Sequence, residues 1–231
     1  MSKGLILASV ATAARIPQSE RRPSSFATTA LDYKTNGQQL NGRQTIGGGA
    51  ENRGIRVDIG QRVGNDYLTG DGSGIPSSFN SGYLHAAVGY DPSEDSRLDF
   101  HYLRVDQTDV ELPGQAFDID WLGTSGFEAK YVVQDRPCFD ESSLEAWYNQ
   151  TRLRGDAQNA GKRRMFPIYD LMLFEGVTYV DSACAGFSWS FTWGDEDGPR
   201  LTAGFDTRMV EQELNEFTSG DFFGFVWDNA N

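Results

Sequence analysis

No stretch of this chain approaches the ~18 consecutive apolar residues of a membrane-crossing helix. That excludes a helical span and leaves membrane-crossing strands open, because barrel strands are amphipathic and escape a hydropathy scan. Cysteine is scarce. Cys138 and Cys184 are the only two, without CxxC or Cys/His ligand spacing, which argues against zinc. Positive charge is also short: 20 Lys and Arg face 33 Asp and Glu, for a net charge of −13. Phosphate backbones repel such a chain, so no nucleic-acid partner is expected. A nucleophile elbow, a zinc-binding histidine helix and a phosphate loop are all missing. Paired carboxylates follow from the number of acids alone. The chain is therefore expected to be no enzyme and to carry neither cofactor nor metal.

What the sequence does have is glycine (26 residues) and aromatics (13%), in a chain only 39% hydrophobic. That mixture suits short strands and turns and predicts an all-β fold. Its clearest unit is a hairpin: residues 183–193, a turn at 194–199, and residues 200–213. On the first arm Ala185, Phe187, Trp189, Phe191 and Trp193 share one face; Cys184, Gly186, Ser188, Ser190 and Thr192 share the other. On the second arm Leu201, Ala203, Phe205 and Met209 oppose Thr202, Gly204, Asp206 and Arg208. Side chains alternate across a strand, so one face is apolar and the other small or polar. The arms match the roughly 9–11 residues of a tilted membrane strand.

Similar alternation recurs at 55–63, 84–90, 98–102 and 127–133, with Asn36-Gly37 as an early hairpin signal. About nine strands are expected, in an up-and-down antiparallel meander. After the first hairpin the connections alternate: short (49–52), long (66–82), short (91–96), long (108–125), shorter (136–142), long (155–182), short (194–199). In a meander this sorts loop length by edge, as in outer-membrane barrels, except that the first connection is short and lies on the long-loop edge. Cys138 then belongs to a short-turn edge. Cys184 is expected to start a strand at the opposite edge, too far away for a disulfide. Residues 1–25 read as an N-terminal segment or linker, with a signal-like stretch at 1–14; residues 26–231 form the β domain.

Candidate site residues fall in three groups. His85 and His101 share the polar face of neighbouring strands, as a metal or haem pair or as two lumen-facing polar residues. Glu111, Asp118 and Asp120, with Trp121 beside them, are expected in one long loop, where they either bind a sugar or cation or are solvated charges. Lys162, Arg163 and Arg164 form a compact basic cluster, suited to an anionic ligand or a lipid phosphate, or simply solvated. Phe166-Pro167-Ile168-Tyr169 follows and could line a ligand mouth. Asp195-Glu196-Asp197-Gly198 lacks the remaining ligands of a calcium loop and reads as a turn.

Short motifs carry a family resemblance: Ile55-Arg56-Val57-Asp58 with Arg62-Val63-Gly64-Asn65-Asp66-Tyr67, residues 98–106, Leu112-Pro113-Gly114-Gln115, and Trp147-Tyr148-Asn149-Gln150-Thr151. Over residues 26–231 the chain resembles the barrel of TonB-dependent outer-membrane receptors. The resemblance implies a bacterial outer-membrane location, lipid contact, and a 22-stranded barrel with a plugged lumen. It implies import of a siderophore, haem, cobalamin or glycan, driven by the inner-membrane TonB complex. No segment matches the plug or the energy-coupling box, and more than half of the barrel has no counterpart. The expectation is a partial transmembrane barrel that does not transport alone. The alternative is a secreted β-sheet binding module, glycan-binding for instance, with its aromatic face packed inside a sandwich. A carboxylate-based hydrolase on a β scaffold is a third reading.

Overall fold

The structure is a computed structural model that describes residues 24–115, 117–156, 163, 175–194, 198–222 and 225–230. Its strands are β1 (Ser24–Lys34), β2 (Gln39–Ala50), β3 (Arg53–Gly64), β4 (Tyr67–Leu68), β5 (Gly74–Ile75), β6 (Phe79–Ser93), β7 (Ser96–Val110), β8 (Asp118–Arg136), β9 (Phe139–Asp156), β10 (Glu175–Trp193), β11 (Leu201–Phe222) and β12 (Phe225–Ala230). Ten of them form one sheet in the order β1-β2-β3-β6-β7-β8-β9-β10-β11-β12, and β4 and β5 make a separate small hairpin. The pairings are antiparallel throughout, as expected of a meander. The nine expected strands are present, and the short β12 adds a tenth. The first hairpin turns through a 3-10 segment, Asn36–Gln38, where Gly37 holds φ at 74°. A left-handed turn of this kind suits a residue without a Cβ.

Loop length sorts by edge with two exceptions: 35–38 is short on the long-loop edge, and 194–200 is as long as 111–117. One edge carries the two-residue turns 51–52, 94–95 and 137–138, together with 194–200; the other carries 35–38, 65–78, 111–117 and 157–174. The expected long connection at 108–125 shrinks to 111–117. β7 and β8 keep pairing through Val110↔Ile119, so the ends of the would-be loop are sheet.

The register joins the apolar positions into rows. Tyr90, Leu98, Tyr131, Leu144, Trp189 and Phe205 are consecutive partners across six strands. The next row towards the long-loop edge holds Ile55, Val88, Phe100, Ala129, Ala146 and Phe187. Above it stand Val57, Ala86, Tyr102, Phe127, Tyr148, Ala185 and Met209. These side chains are largely uncovered: Phe127 is 54% exposed, Phe205 54% and Met209 71%. Among the described residues nothing packs over them.

Beyond those rows the same face turns ionic. Arg104 pairs with Asp106, and Arg152 Nε lies 2.8 Å from Asp181 Oδ2. The strands therefore run past the apolar band. β10 has 19 residues and β11 has 22, more than the predicted arms. From Trp193 to Ala183 the apolar run of β10 covers about 33 Å of strand at ~3.3 Å per residue. At a ~40° tilt that is about 25 Å of height, the apolar band of an outer-membrane barrel. The predicted arm was thus the apolar part of a longer strand. This also corrects Cys184, which sits in mid-strand opposite Asn149 and Val210 rather than at a strand start. Cys138 lies in the 137–138 turn, and both cysteines are free thiols.

Candidate functional site

The other face of the sheet is crowded and polar, and its centre is Asp58 on β3. The residue is 2% exposed. Thr45 Oγ1 donates to its Oδ1 at 2.5 Å, Arg43 Nη2 at 3.0 Å and Arg56 Nη2 at 3.1 Å. Arg56 Nε lies 2.8 Å from Oδ2. Two guanidiniums thus share one buried carboxylate. That satisfies its charge and leaves the group cationic, with the Arg43 side chain 48% exposed.

His85 is the register partner of Asp58 on β6, and its Nδ1 lies 3.6 Å from Asp58 Oδ2. Its ring stacks on His101 of β7, with centroids 5.8 Å apart and planes 12° apart. The sequence pattern placed both on the polar face of neighbouring strands, and the structure brings the two together. His101 faces Glu128 across the β7–β8 ladder, and Glu128 faces Trp147 on β9. Among the described residues no group of three or more His, Cys, Asp or Glu is placed to hold a metal ion.

Trp147 lies close over Gly186, where an added Cβ would stand 2.5 Å from the indole Cζ2 and 2.6 Å from the Thr207 carbonyl. This glycine is required by the close approach of a ring and a backbone, not by a turn. Neither the Asp58 cluster nor Trp147 was picked out as a site from sequence. Their polar-face parity could have pointed to both.

The acidic group is dispersed by the structure. Only Glu111 is in the connection; Asp118, Asp120 and Trp121 are on β8. Asp118 is 4% exposed and its Oδ1 accepts the Leu112 amide at 2.8 Å, so it closes the connection from below. Asp120 sits at a register shift between Ile119 and Trp121, a bulge that lets it pair with Arg154. Trp121 shares the apolar-face parity with Arg154 and Tyr179. The Arg154 guanidinium stands 5.8 Å from the Tyr179 ring centroid, and its Nε donates to the Tyr179 hydroxyl at 3.2 Å. These residues form a polar and aromatic collar above the apolar rows, not a loop pocket.

Of the basic cluster, Arg163 is described within the 157–174 connection, while Lys162 and Arg164 lie outside the described residues, as do residues 1–23, Phe166-Pro167-Ile168-Tyr169 and the turn residues Asp195-Glu196-Asp197.

Comparison with known proteins bears on the fold. No family model matches the sequence. No curated protein matches it. Among solved structures the chain is similar to one described as Copper transporter OprC, with a TM-score of 0.72 and 16% identity. The match covers 90% of this chain and 32% of that one, so the chain spans about a third of that structure's length. At this identity the likeness is one of fold: an antiparallel meander of the outer-membrane barrel type.

Proposed function

We propose that the chain is part of the wall of a TonB-dependent outer-membrane receptor. Residues 26–231 act as one non-enzymatic barrel segment in the bacterial outer membrane. In the assembled receptor its apolar face meets lipid, and its polar face lines the path of a nutrient such as a siderophore, haem, cobalamin or glycan. On this reading the TonB complex supplies the energy. The observation that carries the proposal is the coincidence, on the same strands, of an uncovered apolar band about 25 Å high with a crowded polar face bearing Asp58, His85, His101, Glu128 and Trp147. Edge-sorted connections support it, as does the transport role named for the similar structure.

Fluorescence in lipid vesicles tests the membrane step. Trp189 and Trp193 should be quenched by lipids brominated on the acyl chain and shielded from aqueous iodide. A detergent-free monomer with both indoles buried would favour the secreted glycan-binding module instead. Uptake tests the receptor step: cells making the assembled protein should lose nutrient import when the proton gradient is collapsed.

A further inference from the structure

The β3–β6 connection is built as a small flap. Its two-stranded hairpin pairs Tyr67 with Ile75 and Leu68 with Gly74. Asn36, in the β1–β2 connection, holds one side: its Oδ1 accepts the Leu68 amide at 2.8 Å and its Nδ2 donates to the Leu68 carbonyl at 3.0 Å. The neck of the flap, just before β6, is closed by two carboxyls, Asp66 from the same connection and Glu111 from the β7–β8 connection. Asp66 Oδ1 accepts the amides of Ser77 and Ser78 at 3.0 and 3.2 Å. Glu111 Oε2 accepts the same Ser78 amide at 3.2 Å and the Ser78 hydroxyl at 2.9 Å. The Glu111 amide also donates to the Ser78 carbonyl at 2.9 Å.

Two carboxyls converging on one amide repel when both are ionised, so a proton bound at either one relieves the pair. Burial first, and then the hydrogen bond with Asp66, raises the Glu111 carboxyl above its ordinary value, against the opposing pull of Ser78. The remaining acids nearby are Asp118, which takes the Leu112 amide, Asp109 on β7, and Asp71, which Thr69 and Ser73 hold within the flap tip.

We propose that the neck of the β3–β6 connection is a pH-responsive joint at the long-loop edge, where the Asp66–Glu111 pair forms a latch on Ser78 and Asn36 holds the β4–β5 hairpin beyond it. Because Glu111 binds its proton more tightly in the closed state, the latch is fully formed below the ordinary carboxylate pKa. It weakens as pH rises through the raised value. The side-chain bonds at Ser77 and Ser78 then loosen, while Asn36 keeps its hold on the hairpin.

Hydrogen exchange of the refolded chain tests this, with rates corrected to protection factors. Between about pH 4 and about pH 8, protection of the Ser77 and Ser78 amides should fall by about tenfold, which is ~1.4 kcal/mol. The Leu68 amide, held by Asn36, should change little. Glu111→Gln keeps an acceptor for Ser78 and gives Asp66 a donor, so it should hold protection high and flat across the range. Asp66→Asn should flatten the profile from the other partner. A flat profile in the unaltered chain overturns the proposal, as does an unchanged fall in both variants or an equal fall at Leu68.

Discussion

The two faces of this sheet are built from alternate residues of the same strands, yet they are held in different ways. On the apolar face the rows repeat one kind of contact. Trp189 meets Phe205 with centroids 6.3 Å apart and Phe191 at 5.0 Å, and Phe187 meets Phe205 at 5.7 Å. Each ring is interchangeable with another of similar size. On the polar face every contact is particular: one carboxylate between two guanidiniums, one imidazole on another, one indole over one glycine. The apolar face asks only for hydrophobicity at the right depth, whereas the polar face asks for named partners. The apolar face should therefore fail by charge and the polar face by loss of a partner.

The largest expected effect breaks the polar side. Asp58→Ala leaves Arg43 and Arg56 beside each other without their carboxylate. Removing one partner of a buried pair costs about 3 kcal/mol, the low end of the range because Arg43 can turn to water. Urea unfolding from vesicles measures it, and a loss under about 1 kcal/mol would mean that the cluster only decorates the wall.

Next comes a paired test of sidedness. Phe187→Arg places a cation at mid-band on the apolar face and should cost about 2–3 kcal/mol in a bilayer. Ser188→Arg, one residue on, places the same cation opposite Glu145 and Asp206. It should cost less than about 0.5 kcal/mol by the same assay, because exposed ion pairs are worth little and repel nothing here. Equal costs would remove the distinction between the faces.

Gly186→Ala probes the close approach of Trp147. The new methyl would press on the Thr207 carbonyl as well as on the indole, so about 1–2 kcal/mol should be lost, and Trp147 fluorescence should shift. The smallest effect belongs to the short-turn edge. There Trp193 Nε1 donates to the Cys138 carbonyl at 2.7 Å, and Trp193→Phe should cost about 0.5–1 kcal/mol at an exposed bond.

Much of the architecture was legible because the side-chain period of a strand is two. The alternation at 183–193 named the apolar face, and the connection lengths named the edges. The same period put His85 and His101 on one face, and the β6–β7 turn stacked them. Legibility failed at the strand ends. Asp118, Asp120 and Trp121 looked like loop because of the acids and the Pro113-Gly114 turn signal before them, yet Asp118-Ile119-Asp120-Trp121-Leu122 is sheet. Cys184 looked like a strand start because 155–182 read as one connection, whereas β10 begins at Glu175 and pairs from Val177 onward with β9.

By itself, then, the sequence determined the fold class, the apolar face and the sorting of long and short connections, because hydrophobic alternation and turn residues are local properties. Only the tertiary structure decided which polar residues meet. Asp58 gathers Arg43 and Thr45 from β2 and His85 from β6, and Glu111 meets Asp66 across two connections. Those meetings depend on inter-strand register, which is a property of the whole ladder and is written in no single strand.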